Sequence, residues 1–153
     1  HHIGQFFDFT SDRIDDGLAL SPELDPPRFG QAGPGNPEQG PRHRAGTAGN
    51  VRLIDIRTPQ EWRQTGVAPG AGRVDFHRGP EVLLSSVLQI VGGDRNAPIA
   101  LICRTGNRTS HAQKFLQAQG FTRVYNVSEG MAGSAAGPGW LKRELPLESC
   151  AQC

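Results

Sequence analysis

Short apolar segments alternate with amphipathic stretches from residue 50 onward, and this alternation predicts an α/β domain with a mostly parallel sheet. The clearest apolar segment is Ile99–Ile102, four apolar residues in a row, as expected of a strand buried on both faces. A helix that follows it places Ala112, Phe115 and Leu116 on one face. The predicted strands span 51–56, 74–76, 99–102 and 124–127, and the predicted helices span 59–64, 80–91 and 108–119.

Start and stop signals flank the predicted helices. Thr58 is placed to cap the first helix, Pro59 suits its first position, and Glu61 completes a capping box. This capping role is sufficient to explain Glu61. Gly66 ends that helix, and Gly120 ends the one that begins near residue 108.

Composition divides the chain into four parts. Residues 1–29 indicate an N-terminal arm that packs loosely on the rest, and residues 30–49 are rich in Gly and Pro, which predicts a linker or long surface loop. Residues 50–147 form the predicted folded domain. Residues 148–153 are predicted to be a C-terminal tail that contains a C-x-x-C pair.

Global composition excludes several classes of protein. The formal net charge of +1 gives no indication of a nucleic-acid partner. No apolar run approaches about 18 residues, so we expect no transmembrane segment. Three cysteines are too few for a disulfide framework. No signal-peptide pattern is visible, but the chain begins with His1 rather than Met. We therefore expect the cytoplasm by default, with the periplasm as the alternative if a signal peptide was removed.

The candidate chemistry lies at Cys103, where the strand at Ile99–Ile102 gives way to a helix. Loops of this kind can aim backbone N–H groups at an anion, and the helix N-terminus adds partial positive charge. Arg104 and Arg108 flank the loop. Cationic surroundings favour a thiolate over a thiol. The sequence therefore predicts a reactive Cys103 thiolate in an anion-binding loop.

The length of this loop favours sulfur over phosphorus chemistry. Cys103 and Arg108 enclose a six-residue loop, C-x4-R, which resembles the active-site loop of the rhodanese family, sulfurtransferases that carry sulfur as a cysteine persulfide. Cysteine phosphatases use C-x5-R, but the residue six positions after Cys103 is Thr109. The His that often precedes the phosphatase cysteine is replaced by Ile102.

Flanking segments extend the resemblance from about residue 51 to residue 147. An aspartate–x–arginine motif and a turn into an acidic–aromatic pair resemble the family's first motif, and a stretch resembling G-H-I-P-G-A follows, with Val67 in place of the usual His. Two further segments resemble the family's C-terminal signature. In this chain the first motif is Asp55-Ile-Arg57 with residues 58–62, and the stretch that resembles G-H-I-P-G-A is 66–71. The C-terminal signature corresponds to residues 129–133 and to 137–140 with 145–146.

The resemblance implies a rhodanese-like three-layer domain with a mostly parallel central sheet flanked by helices, and an enzyme similar to thiosulfate sulfurtransferase. It implies that Cys103 takes sulfur from thiosulfate or a related anionic donor and passes it to cyanide, a small thiol or a protein thiol. We expect Arg104 to attract the donor and Arg108 to order the loop. The remaining loop residues, Thr105, Gly106 and Asn107, are expected to contribute mainly backbone, while Asp55 and Arg57 support the loop through structural hydrogen bonds. No metal or other cofactor is expected.

Three alternatives remain open at this point. The first is a rhodanese-like relay or binding module that forms a persulfide but turns over poorly without a protein partner. The second is a phosphatase or arsenate reductase, for which the loop is one residue short. The third is an inert buried cysteine at a strand end.

The pair Cys150 and Cys153 is expected to be a frayed tail without a role. The alternatives for this pair are acceptance of sulfur from Cys103, a disulfide, or a share in a metal site.

Overall fold

A six-stranded sheet organises the part of the chain that the computed structural model describes. That part is residues 51–153, together with the backbone of four two-residue strands nearer the N-terminus. The predicted linker at 30–49 lies outside the described residues, as does most of the predicted arm at 1–29. The division into arm, linker, domain and tail stays a prediction.

Strands and helices alternate from residue 51, as the sequence pattern predicts. The early strands are β1 (Phe6–Phe7), β2 (Phe9–Thr10), β3 (Arg13–Ile14) and β4 (Leu20–Ser21). The later strands are β5 (Val51–Asp55), β6 (Gly72–Arg73), β7 (Ile99–Ile102) and β8 (Val124–Val127). The α-helices among the described residues are α1 (Pro59–Thr65), α2 (Pro80–Ile90) and α3 (Asn107–Ala118).

Four strands run parallel and form the centre of the sheet. β5 pairs with both β6 and β7, and β7 pairs with β8, all in parallel register. β1 pairs antiparallel with β5, and β4 pairs antiparallel with β8. Asp55 lies opposite Ile102, so β5 and β7 end at the same edge of the sheet. The predicted α/β class with a mostly parallel sheet is confirmed.

Apolar residues on both faces of β7 explain why its four positions are all hydrophobic. Ile99 and Leu101 belong to one buried cluster, which also contains Leu83 of α2 and Leu116 of α3. Ala100 and Ile102 point to the other face, in a second cluster that includes Met131 and Trp140. Because successive side chains of a strand alternate between faces, a strand covered on both sides needs an unbroken apolar run. The central sheet thus lies between two apolar layers.

The strand predicted at 74–76 is wrong. The parallel strand is Gly72–Arg73, and Phe76–Arg78 forms a 3-10 turn capped by the Asp75 side chain, which accepts a hydrogen bond from the His77 N–H. This two-residue strand consists of a glycine and an arginine, so it has no apolar side chain that would mark it in the sequence. Val74 is buried, but it lies after the strand and before the 3-10 turn.

The segment after residue 147 is not frayed. Glu148 and Val67 exchange two backbone hydrogen bonds, of 2.7 and 3.0 Å, in an antiparallel bridge. Cys150 and Cys153 form a disulfide, which was one of the alternatives for this pair. Cys150 packs with Trp62 and Val67 in a third, small buried cluster.

A separate observation concerns membranes. No helix in the described part of the chain combines the length and the apolar character needed to cross a bilayer.

Candidate active site

Cys103 lies immediately after β7, at the edge where the parallel strands end. The residue is 1% exposed. Its Sγ accepts a hydrogen bond from the backbone N–H of Gly106 at 3.2 Å. It is the free cysteine of the described residues, because Cys150 and Cys153 are joined to each other. The loop thus turns back on itself and directs a backbone donor at the sulfur.

Gly106 makes this turn possible because its backbone is left-handed. Its φ is +95°, and it caps the N-terminus of α3. A Cβ at this position would lie 2.6 Å from the Ser128 carbonyl oxygen. The Gly106 carbonyl also accepts a hydrogen bond from the Asn126 side chain at 3.3 Å. Glycine is therefore required both for the backbone angle and for the contact with the segment after β8.

The segment after β8 fixes the first half of the loop. Met131 N–H donates to the Cys103 carbonyl, and Ala132 N–H donates to the Arg104 carbonyl, both at 2.9 Å. A Cβ on Gly130 would overlap the Arg104 carbonyl, so the two chains approach closely only because residue 130 is glycine. The carbonyls of Cys103 and Arg104 are therefore hydrogen-bonded to residues 131 and 132. The Gly106 N–H, in contrast, is directed at the sulfur.

A buried hydroxyl lies against the sulfur on the helix side. Thr109 Oγ1 is 3.4 Å from Cys103 Sγ and donates to Asn126 Oδ1 at 2.5 Å. A hydroxyl has one hydrogen to donate, so Thr109 serves either Asn126 or a thiolate at Cys103. Sequence reasoning used Thr109 only to exclude the phosphatase spacing. Its position in the first turn of the helix could have indicated this contact. Side chains of a helix tilt toward its N-terminus, and here the N-terminus adjoins the loop.

The two loop arginines have different surroundings. Arg104 is exposed. Arg108 is partly buried and donates to both carboxylate oxygens of Glu61, at 2.8 and 2.9 Å. Glu61 also forms the predicted capping box with Thr58, so the capping role alone does not explain it. The structure thus ties the loop to α1 through a residue 47 positions away.

The charges of this pair shift both pKa values. The hydrogen bond from Arg108 lowers the pKa of Glu61 from 4.5 to about 2, and the backbone bond at Thr58 adds to the effect. The pKa of Arg108 is raised, first by Glu61 and further by negative charge at Cys103 and Asp55. Arg108 is therefore within electrostatic reach of the sulfur while its hydrogen bonds hold it on α1.

Asp55 and Arg57 form a buried ion pair beside the same edge of the sheet. Each side chain is 1% exposed, and Arg57 Nη2 lies 2.8 Å from Asp55 Oδ2. Arg57 also donates to Thr65 Oγ1 at 2.9 Å and to the Gly66 carbonyl at 3.0 Å. The pair therefore fixes the C-terminal end of α1, the helix whose N-terminal Glu61 holds Arg108. The supporting role predicted for Asp55 and Arg57 stays a prediction.

A second ion pair stabilises the segment that fixes the loop, and sequence reasoning gave its members no role. Glu129 is fully buried and accepts hydrogen bonds from Gly139 N–H and from two nitrogens of Arg143, all between 2.8 and 2.9 Å. The pKa of Arg143 is raised by Glu129. Glu129 precedes Gly130, so the pair closes the turn that reaches Cys103. The sequence motif that contains Glu129 could be recognised, but its pairing with Arg143, 14 residues away, could not be predicted.

The remaining loop residues contribute backbone or surface. Thr105 is half-buried, and the exposed Asn107 is the first residue of α3. Within residues 51–153, no three His, Cys, Asp or Glu side chains are grouped so that they could hold a metal ion.

Comparison with known proteins gives consistent matches. Residues 43–136 match the family model described as Rhodanese-like domain. An uncharacterized protein of Rickettsia conorii is 31% identical over 108 residues, which cover 65% of this chain and 84% of that protein. A protein of Allochromatium vinosum named sulfurtransferase is 31% identical over 98 residues, which cover 64% of this chain and 78% of that protein. A rhodanese-related protein from Thermoplasma volcanium has a solved structure with 22% identity and a TM-score of 0.45, over 63% of this chain and 81% of that one.

Proposed function

Because this chain belongs to the rhodanese-like domain family, we propose that it is a sulfurtransferase in which Cys103 carries sulfane sulfur as a persulfide. The donor is thiosulfate or a related small anion, and the acceptor is cyanide or a thiol, including the thiol of a partner protein. The observation that carries the proposal is the hydrogen bond from Gly106 N–H to Cys103 Sγ in a loop that starts a helix.

The first half-reaction loads the cysteine. The Cys103 thiolate attacks the outer sulfur of thiosulfate, a new S–S bond forms, and the S–S bond of thiosulfate breaks. Sulfite leaves with the electron pair of that bond. The product is a persulfide whose terminal sulfur carries the negative charge.

The second half-reaction removes the sulfur from the Cys103 persulfide. The carbon lone pair of cyanide attacks the terminal sulfur, and the bond between that sulfur and Cys103 Sγ breaks. Thiocyanate leaves, and Cys103 returns as a thiolate. With a thiol acceptor, the same attack gives a new persulfide on the acceptor. No change in the oxidation state of the protein remains after a full cycle.

Three features of the loop favour the charged sulfur. Gly106 N–H is already directed at it, and the N-terminus of the twelve-residue helix α3 adds partial positive charge. Arg108 contributes its field, since negative charge at Cys103 is among the causes that raise its pKa. The exposed Arg104 is free to meet an incoming anion and is assigned to donor attraction.

The placement of Arg108 also argues against phosphoryl transfer. A phosphatase needs an arginine that clamps the phosphoryl group with two N–H donors. Arg108 uses two of its nitrogens on Glu61 instead. The short loop is therefore better suited to the transfer of a single sulfur atom than to the transfer of a phosphoryl group.

Steady-state assay of thiocyanate formation from thiosulfate and cyanide tests this proposal. The wild type should turn over, and Cys103→Ser should show no activity above the uncatalysed rate. The double variant Cys150→Ser/Cys153→Ser is the matched thiol control and should retain activity. A persulfide that forms on the wild type without turnover would point instead to a relay module. Turnover by Cys103→Ser equal to that of the wild type would overturn the proposal.

A further inference from the structure

A second pair of sulfur atoms belongs to residues outside the Cys103 loop. Cys150 and Cys153 are joined in a disulfide, and one nitrogen of Arg73, Nη1, donates to both sulfur atoms, at 2.8 Å for Cys150 and 2.5 Å for Cys153. The mechanism proposed above does not use these three residues. One cation therefore faces both atoms of a C-x-x-C pair.

The surrounding structure keeps Arg73 and the disulfide together. Arg73 belongs to β6, and its guanidinium lies over the ring of Trp62, 5.9 Å from the ring centre. Trp62 is 7% exposed and packs against Cys150. The bridge between Val67 and Glu148 anchors the chain just before the pair. Arg73 thus lies between an aromatic ring and two sulfur atoms.

The two sulfur-bearing residues differ in access. Arg73 and residues 149–153 line an open cleft of about 530 Å³. Cys150 is 9% exposed and belongs to the buried cluster with Trp62, whereas Cys153 is partly exposed. An external thiolate entering the cleft therefore reaches Cys153 more easily than Cys150.

We propose that Cys150 and Cys153 form a thiol–disulfide exchange site, with small thiols as its co-substrate and Arg73 as the group that stabilises the departing thiolate. The thiolate of an external thiol attacks Cys153 Sγ, a mixed disulfide forms, and the bond to Cys150 breaks. Cys150 leaves as a thiolate beside Arg73. The thiolate of a second external thiol then attacks the external sulfur of the mixed disulfide, the bond between that sulfur and Cys153 Sγ breaks, and Cys153 leaves as a thiolate. Two thiols are oxidised to one disulfide, and the protein pair is reduced to two thiols.

The position of Arg73 matters more for the reduced pair than for the oxidised one. A disulfide sulfur is a weak acceptor, whereas a thiolate carries a full negative charge and accepts strongly. Stabilising the thiolate makes Cys150 a better leaving group and keeps it reactive near neutral pH. Because Arg73 is exposed, we expect an effect of several-fold rather than of many orders of magnitude.

The first test measures thiolate reactivity in a Cys103→Ser background, which removes the other thiol. The reduced protein is alkylated with iodoacetamide at about pH 6.5, and the rate is followed by intact mass. Arg73→Gln should lower the rate at least ~5-fold, and Arg73→Lys should restore most of it. Arg78→Gln, which removes another exposed arginine, should leave the rate unchanged. Equal rates for Arg73→Gln and its parent would overturn the proposal.

The second test uses single cysteines and does not depend on the folding of the Arg73 variants. In the same background, Cys150→Ser leaves Cys153, and Cys153→Ser leaves Cys150. Arg73 Nη1 contacts both sulfur atoms, so the difference in exposure decides which one reacts first. With glutathione disulfide as the probe, Cys153 should therefore form the mixed disulfide faster than the less exposed Cys150. The intact pair should be reduced by excess glutathione in the native protein. Faster capture at Cys150, or a pair that is reduced only after denaturation, would contradict the proposal. Both tests are independent of sulfur transfer, because they are made without Cys103.

Discussion

Arg108 donates one hydrogen bond to each carboxylate oxygen of Glu61, at 2.8 and 2.9 Å. The same carboxylate accepts a hydrogen bond from the Thr58 N–H and so caps α1. The Glu61 carboxylate therefore takes part in capping the N-terminus of α1 and also binds Arg108 at the end of the cysteine loop. This pair links the cysteine loop to α1 across 47 positions of sequence.

Glu61→Gln should weaken the loop without removing the helix cap, because glutamine keeps an acceptor oxygen but loses the charge. We expect the free energy of unfolding to fall by about 1–2 kcal/mol and sulfur transfer to slow several-fold. Chemical denaturation and the thiocyanate assay measure the two effects. Glu81→Gln is the control, since Glu81 also lies in the first turn of a helix but is exposed. Equal losses in both variants would show that the pair with Arg108 has no special role.

Acid should weaken the fold through Glu61 in a defined pH range. Folding lowers the pKa of Glu61 from 4.5 to about 2, so the folded state favours the charged carboxylate. Its contribution to stability is complete above pH 4.5 and is lost as the pH falls toward 2. Unfolding free energies of wild type and Glu61→Gln should therefore converge over this range. A difference that stays constant down to pH 2 would contradict the assignment.

Thr109→Val should slow the loading of Cys103. The substitution preserves shape but removes the hydroxyl that lies 3.4 Å from the sulfur and leaves Asn126 Oδ1 without its donor. Loss of one hydrogen bond to a charged group corresponds to a rate decrease of about tenfold. Stopped-flow or quenched mass measurement of persulfide formation gives the rate. Thr109→Ser keeps the hydroxyl and should stay close to the wild type, whereas equal slowing in both variants would exclude the hydroxyl as the cause.

Gly130→Ala should displace the loop. Its φ is +72°, and the new Cβ would overlap the Arg104 carbonyl. Gly93→Ala is the control, because Gly93 has a φ of +83° but no atom within 4 Å of the added Cβ. The control should lose about 1–2 kcal/mol from backbone strain alone. Gly130→Ala should lose about 1–3 kcal/mol more and most of its activity, as measured by thermal unfolding and turnover. Similar losses at both positions would mean that the close approach to the loop is unimportant.

The local parts of this architecture could be predicted from sequence. Ile99–Ile102 is apolar throughout because both faces of β7 are covered, and such a run identifies a central parallel strand. The capping box of Thr58 and Glu61 acts within four residues and has a fixed spacing. The family resemblance, which rests on short motifs, is confirmed by the match over residues 43–136.

Contacts between distant segments could not be predicted in the same way. Arg108 and Glu61 are 47 residues apart, and nothing in the composition of either segment pairs them. Gly72 is in a strand because its backbone pairs with β5. Neither Gly72 nor Arg73 has an apolar side chain, so the apolar pattern placed the strand too late. The roles of Cys103 and its loop stay a prediction until they are measured.

The intact mass of the protein after incubation with thiosulfate, without reductant, tests the central claim most directly. The wild type should gain the mass of one sulfur atom, and this gain should be lost on addition of dithiothreitol. Cys103→Ser should gain nothing, while the double variant Cys150→Ser/Cys153→Ser should gain one sulfur as the wild type does. A wild type that gains no sulfur, or a Cys103→Ser variant that gains one, would contradict the assignment of Cys103 as the sulfur carrier.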